Sequence, residues 1–246
     1  MPYPKLEYKY LLPAGDVDAV RRAVHRHMAH DAYALRTPEG SYVVRSVYFD
    51  SPRLGAYREK VEGVRSRRKY RIRAYGAARH DSAAFLEIKE KQGQYLTKFR
   101  SALAVGDVEE LTRDRDFGRL VRGLHGDGID PANAELFFRD VDRKALRPVV
   151  LVVYDREAFT ADGMSDLRVT IDSGLRSQRV ADPGAFGGAA NHVHDGDLVP
   201  VMRQHAILEV KFTRGVPAWL RDELRRHRLR RLALSKYTLS LDAHAQ

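Results

Sequence analysis

The sequence contains no cysteine and no apolar segment near the roughly 20 residues that a membrane-spanning helix requires. The lack of cysteine excludes disulfide bonds, thiolate metal sites and a cysteine nucleophile. The first twelve residues place Lys5, Glu7 and Lys9 between apolar neighbours, which is typical neither of a signal peptide nor of a membrane anchor. We therefore expect a cytoplasmic protein.

Positive charge dominates the composition. The 246 residues include 43 Lys and Arg against 33 Asp and Glu, which gives a net charge of +10. Hydrophobic residues make up 43% and charged residues 31%, which indicates a folded protein and not a disordered chain. The excess of positive charge favours an anionic partner, and nucleic acid, anionic lipid and a phosphorylated small molecule are the classes to distinguish.

Alternation of apolar and polar residues predicts that strands dominate the fold. In residues 67–75, for example, Ile72 lies on one face of a strand, and Arg71 and Arg73 lie on the other. Similar patterns predict strands at 4–12, 41–50, 84–91, 94–100, 149–160, 167–173 and 206–213. Helices are predicted at 16–30, 52–62, 106–125 and 217–228. Because no βαβ order is present, the sequence predicts a mainly antiparallel α+β fold.

The charged faces of these strands allow two interpretations. The first is the solvent-exposed side of an ordinary sheet. The second is a barrel of eight strands whose charged faces point inward, around phosphates and a metal ion. The pattern alone leaves both interpretations open, and the weakness of the first is that like charges on adjacent strands repel. The basic residues concerned are Arg67, Lys69, Arg71, Arg73, Lys89, Lys91, Lys98 and Arg100.

Eight short segments, taken in chain order, carry a resemblance to a known family. They are LEYKY at 6–10, SVYFDS at 46–51, RKYRIRAY at 68–75, FLEIK at 85–89, YDREAF at 154–159, RVTID at 168–172, LEVKF at 208–212 and SKYTLSL at 235–241. Together they resemble the VTC domain, the polyphosphate polymerase domain of the triphosphate tunnel metalloenzyme (CYTH-like) superfamily. The resemblance spans nearly the whole chain. It implies one domain over residues 1–246, an eight-stranded antiparallel tunnel with a charged lumen and helices packed on the outside.

The resemblance also implies an activity. It is that of a metal-dependent phosphotransferase, which moves the γ-phosphate of ATP to phosphate or polyphosphate with a divalent ion, Mn²⁺ or Mg²⁺. The implied partners are ATP or another triphosphate, polyphosphate, and a separate membrane protein that brings the domain to the inner face of the membrane. No nucleic acid is expected, because the basic residues alternate along strands and no nucleic-acid motif is present.

Individual residues match the motifs of the family. Phosphate binding is implied for Lys9, Arg71, Arg73, Lys89, Lys98 and Arg156, and metal binding and catalysis for Glu209. Ser235 and Lys236 match phosphate contacts near the reacting centre, with Lys236 as a catalytic residue. Alternation places Lys211, Glu87, Arg168 and Asp172 in the same lumen, where we expect Lys211 to bind phosphate and consider Glu87 and Asp172 as further metal ligands.

One departure from the superfamily bears on the activity. Many hydrolytic members begin with Glu-x-Glu-x-Lys, whose carboxylates help to hold the metal, whereas this sequence has Lys5, Glu7 and Lys9. The replacement of the first carboxylate favours a polymerase-like or a binding-only member over a triphosphatase. A triphosphatase on the same scaffold and a non-catalytic polyphosphate-binding module stay open as alternatives.

Other motifs are interpreted as structural. We expect His192 and His194 in a loop, Asp140 and Asp142 in a surface turn, and residues 225–231 on a solvated basic helix face. Tyr8, Tyr10, Tyr48 and Tyr70 are expected to pack on the outer, apolar side of the sheet.

Overall fold

A computed structural model describes residues 6–76, 82–93, 95–107, 127–161, 166–180 and 197–245. The strands are β1 (Leu6–Pro13), β2 (Ala29–His30), β3 (Tyr42–Asp50), β4 (Ser66–Tyr75), β5 (Ala83–Gln92), β6 (Tyr95–Ala104), β7 (Arg147–Thr160), β8 (Arg168–Arg179), β9 (Val199–Pro200) and β10 (His205–Phe212). The helices are α1 (Val17–His25), α2 (Gly55–Val61), α3 (Pro131–Arg143), α4 (Ala218–Arg226) and α5 (Lys236–Asp242).

The chain divides into two compact units built from interleaved segments. The first unit comprises Met1–Val43, Tyr154–Leu175 and Pro200–Ser235. The second comprises Val44–Val153, Arg176–Val199 and Lys236–Gln246. Strands β7 and β8 contribute residues to both units. The expected single-domain organisation stays a prediction.

In the first unit, two helices cover the apolar face of an antiparallel sheet. β10 pairs with β1 on one side and with β8 on the other, where Leu208 lies opposite Ile171. Apolar residues three to four apart form one stripe on α1 and one on α4, and both stripes are buried. The core includes Tyr10, Leu12, Val20, Val24, Leu208, Val210, Leu220 and Leu224. Because side chains alternate along a strand, the charged residues of these strands share the other face.

The second unit contains the antiparallel series β3, β4, β5 and β6. Ile72 of β4 lies opposite Leu86 of β5, and both side chains are buried. α3 packs near this apolar face, where the ring centroid of Phe137 lies 5.7 Å from that of Phe49. The charged residues of β4, β5 and β6 again alternate with the apolar ones.

The strands confirm the predicted antiparallel α+β class, and most boundaries differ from the prediction by one to four residues. β8 is longer than predicted, since it continues through Gly174 to Arg179. The two-residue strand β2 was not predicted, because residues 16–30 had been assigned to one helix. That helix ends at His25, and His30 pairs with Phe159 of β7.

The helices differ more from the sequence-based expectations. α3 was not predicted, although its start carries a recognisable signal: Pro131 follows Asp130, whose carboxylate accepts the backbone N–H of Asn133 at 3.0 Å. α4 ends at Arg226, so the basic run 225–231 is not a continuous helix face. Most of the helix predicted at 106–125 lies outside the described residues. Within the described ranges, no helix combines the length and the apolar composition needed to cross a membrane.

The prediction of a surface turn at Asp140 and Asp142 is wrong. Both residues belong to α3, and Asp140 is buried whereas Asp142 is exposed. The Asp140 carboxylate accepts the hydroxyl of Tyr70 at 2.6 Å and a guanidinium N–H of Arg68 at 3.0 Å. Burial opposes ionisation, but the hydrogen bond from Tyr70 and the charges of Lys144 and Arg68 hold the pKa of Asp140 below its usual range.

Candidate functional site

Two carboxylates and two lysines form a compact group on β1 and β10 of the first unit. We call Glu7, Lys9, Glu209 and Lys211 the lysine–carboxylate cluster. Lys9 lies opposite Glu209 in the strand pairing, and Glu7 lies opposite Lys211. The Lys9 ammonium is 3.0 Å from Glu7 and 3.7 Å from Glu209. The Lys211 ammonium is 2.6 Å from Glu209 and 3.7 Å from Glu7, so each lysine contacts both carboxylates.

Arg156 and Asp172 form a second pair in the first unit. The guanidinium donates from Nε to Oδ1 at 2.6 Å and from Nη2 to Oδ2 at 2.8 Å, and both side chains are buried. Burial opposes the charge, but Asp172 and Tyr154 hold the pKa of Arg156 well above its usual value. The paired fork–carboxylate geometry fixes the orientation of Arg156.

A second charged group lies on one face of β3, β4, β5 and β6 in the second unit. We call Tyr48, Arg71, Arg73, Glu87, Lys98 and Arg100 the arginine cluster. The strand register places four of its members in one row: Tyr48 opposite Arg71, Arg71 opposite Glu87, and Glu87 opposite Arg100. Four cations against one carboxylate give these six residues a formal charge of +3.

Glu87 is the centre of the arginine cluster. Its carboxylate accepts Nε of Arg71 at 2.7 Å and lies 2.6 Å from Nη2 of the same residue. The Lys98 ammonium is 3.5 Å from the other carboxylate oxygen, and Nε of Arg100 is 3.6 Å from it. Burial opposes ionisation of Glu87, but Arg71, Arg73 and Lys98 outweigh burial and hold the pKa of the carboxyl well below its usual range.

A row of lysines runs parallel to the arginine cluster. Lys69 of β4 lies opposite Lys89 of β5, which lies opposite Lys98 of β6. Like charges directly opposite one another across a sheet are destabilising. The same face of the sheet therefore accumulates positive charge over two successive rows, which is the arrangement expected of a surface that binds a polyanion.

Replacement of Glu87 by Gln is expected to lower the stability of the ligand-free protein by about 2 kcal/mol, because a buried counter-charge is removed from three cations. Added tripolyphosphate should recover more stability in Glu87→Gln than in the wild type. In the wild type, the stabilisation by Glu87 is present above the ordinary carboxyl pKa of about 4.3 and is lost as the pH falls toward the lower folded value.

Thermal unfolding with and without tripolyphosphate measures both effects of Glu87→Gln. Glu59→Gln is a matched control, because Glu59 is a half-buried glutamate of α2 in the same unit. The control should show the same ligand-induced shift as the wild type. Equal shifts in Glu87→Gln and Glu59→Gln would contradict the expected role of Glu87 as a counter-charge.

Tyr48 does not pack on the outer side of the sheet as predicted. Its hydroxyl accepts Nη1–H of Arg71 at 2.9 Å, and its ring stacks on Tyr237 with centroids 5.1 Å apart. Lys236 begins α5 and is buried. Burial raises the pKa of Tyr48, but the charges of Arg71, Arg73 and Lys236 outweigh it, so the pKa is lowered. Lys236 therefore acts electrostatically on Tyr48 together with Arg71 and Arg73.

The structure distributes the predicted site residues between the units. Lys9, Arg156, Arg168, Asp172, Glu209, Lys211 and Ser235 lie in the first unit, and Arg71, Arg73, Glu87, Lys89, Lys98 and Lys236 lie in the second. Arg73 is buried and donates from Nε to the Ser46 hydroxyl at 3.0 Å. Ser235 is buried immediately before α5. Lys5, His192 and His194 lie outside the described residues.

The carboxylates differ in their suitability for a divalent metal. Within the described ranges, no group of three or more His, Asp and Glu side chains lies close enough to hold a metal ion. Mg²⁺ commonly takes only one or two carboxylates and completes its shell with water and substrate phosphates. Glu7 and Glu209, held side by side by the same two lysines, fit that requirement. Glu87 and Asp172 are instead engaged by arginines.

Comparisons with known proteins give a family and a fold. The family model described as VTC domain matches residues 5–244. The solved structure of HpAC1 from Hippeastrum, a candidate adenylyl cyclase described as having a dominant triphosphatase activity, has a TM-score of 0.54 and 13% identity, covering 97% of this chain and 95% of that chain. The PH1819 protein from Pyrococcus horikoshii has a TM-score of 0.48 and 12% identity, covering 97% and 98%. The likeness to HpAC1 shows a shared fold.

Proposed function

The chain belongs to the VTC domain family, and from this premise we propose that it transfers the γ-phosphoryl group of ATP to phosphate or to a growing polyphosphate chain. The observation that carries the proposal is the charge of the arginine cluster, in which one carboxylate, Glu87, contacts three cationic side chains. A bound polyphosphate or triphosphate would bring negative charge to this group of mainly cationic side chains.

The proposed reaction needs no covalent intermediate on the protein. An oxygen of the acceptor phosphate attacks the γ-phosphorus, the bond from that phosphorus to the bridging oxygen breaks, and ADP leaves with the bond's electron pair. Phosphoryl transfer depends on in-line positioning and on cations around the three equatorial oxygens. In the proposal, Arg71 and Arg73 bind phosphate through their planar guanidinium groups, and Lys236 neutralises charge on the reacting phosphoryl group.

Further phosphate contacts are proposed from the family resemblance. They are assigned to Lys9, Lys89, Lys98, Arg156, Lys211 and Ser235. For Arg156, the two short bonds to Asp172 support a rigid phosphate contact, because the guanidinium does not have to be ordered when the ligand binds.

A divalent ion, Mn²⁺ or Mg²⁺, is proposed as the cofactor. Glu209, with Glu7 beside it, would hold the ion, and the ion supplies neutralisation of phosphate charge when it is bound. Lys9 and Lys211 each contact both carboxylates and so hold them in position. Asp172 and Glu87 are better placed to orient Arg156 and Arg71 than to bind metal.

Two other functions are compatible with the same fold. A triphosphatase is suggested by the activity described for HpAC1, whereas Lys5, in place of the first carboxylate of the hydrolytic motif, argues against it. A non-catalytic polyphosphate-binding module would need the cations but neither Glu209 nor the metal. The cytoplasmic location stays a prediction from the sequence, and a separate membrane partner is proposed from the resemblance alone.

Incubation of the purified protein with ATP and Mn²⁺ tests the proposal. We expect polyphosphate chains on a polyacrylamide gel and one ADP for each phosphate incorporated. Release of orthophosphate without chains would support the triphosphatase. Tight polyphosphate binding without turnover, under several metals and with a phosphate primer, would support the binding module. A non-hydrolysable ATP analogue is the negative control.

A further inference from the structure

The Tyr48 hydroxyl has a donor hydrogen that a bound ligand could accept. A phenol hydroxyl can accept hydrogen bonds and donate one. It accepts Nη1–H of Arg71 at 2.9 Å, and in the part of the chain that the structure describes no acceptor takes its own hydrogen. Tyr48 is only 7% exposed. A buried donor without an acceptor is costly, so the site favours a ligand that brings one.

The surroundings of the hydroxyl define the chemistry of that ligand. The charges of Arg71, Arg73 and Lys236 act on Tyr48, and all three are positive. An oxyanion would accept the hydroxyl hydrogen and would also bring negative charge close to these cations, which a neutral acceptor would not do. We propose that Tyr48 donates a hydrogen bond to a phosphate oxygen of the bound triphosphate or polyphosphate, and that Tyr237 is the residue that positions it.

Tyr237 is suited to this positioning role because it is itself fixed. Its hydroxyl donates to Oδ2 of Asp50 at 2.5 Å. The Asp50 carboxylate is immobilised in turn, since it accepts the backbone N–H groups of Ser51, Ala56 and Tyr57 at 2.7 to 3.0 Å. The rings of Tyr237 and Tyr48 stack at an interplanar angle of 25°. The stacked ring of Tyr237 and the hydrogen bond from Arg71 leave the Tyr48 hydroxyl little freedom.

This inference rests on the proposed function, since it concerns the same phosphate site, and its test uses binding and not synthesis. Tyr48→Phe keeps the ring and its stacking and removes only the hydroxyl. We expect the affinity for inorganic tripolyphosphate, measured by isothermal titration calorimetry, to fall about tenfold, the usual effect of losing one hydrogen bond to a charged group.

A pair of Tyr237 variants tests the positioning role. Tyr237→Phe keeps the stacked ring and loses only the bond to Asp50, so we expect an affinity within about threefold of the wild type. Tyr237→Leu removes the ring, and we expect the affinity to approach that of Tyr48→Phe. Equal affinities for Tyr237→Phe and Tyr237→Leu would show that the ring does not position Tyr48.

Tyr70→Phe is the matched control, because Tyr70 is a buried tyrosine of the neighbouring strand whose hydroxyl bonds to Asp140 on the other face of the sheet. The control should lower the melting temperature and leave tripolyphosphate affinity unchanged. Melting temperatures of all variants separate loss of folding from loss of binding. If Tyr48→Phe did not fold, the comparison of the two Tyr237 variants would carry the test.

The possible outcomes separate this inference from the proposed function. An affinity of Tyr48→Phe within twofold of the wild type would overturn the inference, even if the wild type makes polyphosphate. A tenfold loss in a protein that binds tripolyphosphate but makes no polyphosphate would support the inference and refute the polymerase. No binding of tripolyphosphate by the wild type would overturn both.

Discussion

Glu209→Gln is expected to reduce polyphosphate synthesis about 100-fold, because removal of one negative charge weakens the proposed metal site. The affinity for tripolyphosphate without metal should stay the same or become slightly tighter. The Lys211 ammonium, 2.6 Å from Glu209 in the native protein, loses a counter-charge and becomes available to an anionic ligand. Excess Mn²⁺ should recover part of the lost turnover, since the variant retains Glu7.

Two measurements check the Glu209 prediction. Turnover is measured over a range of Mn²⁺ concentrations, and the affinity for tripolyphosphate is measured by calorimetry without metal. Glu223→Gln is the matched control: Glu223 is a buried glutamate of α4 whose carboxylate lies 2.8 Å from Arg226, outside both charged clusters. The control should lose some stability and keep the wild-type metal dependence. Near-normal turnover of Glu209→Gln at low metal would contradict the assignment of Glu209 as a metal ligand.

The sequence predicted the faces of the strands well because the side-chain period of a strand is two residues. In β4, Ile72 and Ala74 are buried in the apolar core, as their alternation with Arg71 and Arg73 predicted. The same pattern allowed the antiparallel α+β class to be predicted before any pairing was known. A short periodic pattern is local, so it needs no information about distant parts of the chain.

The contacts within the two clusters could not be predicted in this way. Lys9 meets Glu209 only because β1 pairs with β10 in one register, and the two strands are separated by most of the chain. A shift of that register by one residue would place Lys9 opposite an apolar neighbour of Glu209. The counter-charge role of Glu87 likewise depends on the β4–β5–β6 register, which no single segment encodes.

Tyr48 and Asp140 were assigned to the wrong environments because residue type was given more weight than position. An aromatic side chain is usually found in an apolar core, and a carboxylate usually lies at the surface. Tyr48 alternates with Val47 and Phe49, however, so its position already placed it on the polar face with Ser46. Asp140 gave no such local signal, since its partner Tyr70 comes from a distant strand.

The charge of Lys236 is expected to contribute independently of the metal ion that Glu209 is proposed to bind. Lys236 is buried at the start of α5 and acts electrostatically on Tyr48, beside the arginine cluster. A metal ion held by Glu209 cannot replace a cation fixed at another position, because the energy of charge stabilisation depends on where the charge lies. The two variants should therefore respond differently to added metal.

Lys236→Ala is expected to reduce polyphosphate synthesis about 1,000-fold, since loss of a fixed group that stabilises transition-state charge typically costs several kcal/mol. Excess Mn²⁺ should not restore turnover, in contrast to Glu209→Gln. Lys236→Arg should recover part of the activity, because the charge is kept but its position changes. Lys144→Ala is the matched control, because the Lys144 ammonium lies 2.7 Å from the hydroxyl of another tyrosine of the second unit, Tyr70, on the other face of the sheet. The comparison is made by measuring the turnover of all four variants over a range of Mn²⁺ concentrations. If Mn²⁺ restored the turnover of Lys236→Ala to the same extent as that of Glu209→Gln, both residues would serve the metal site.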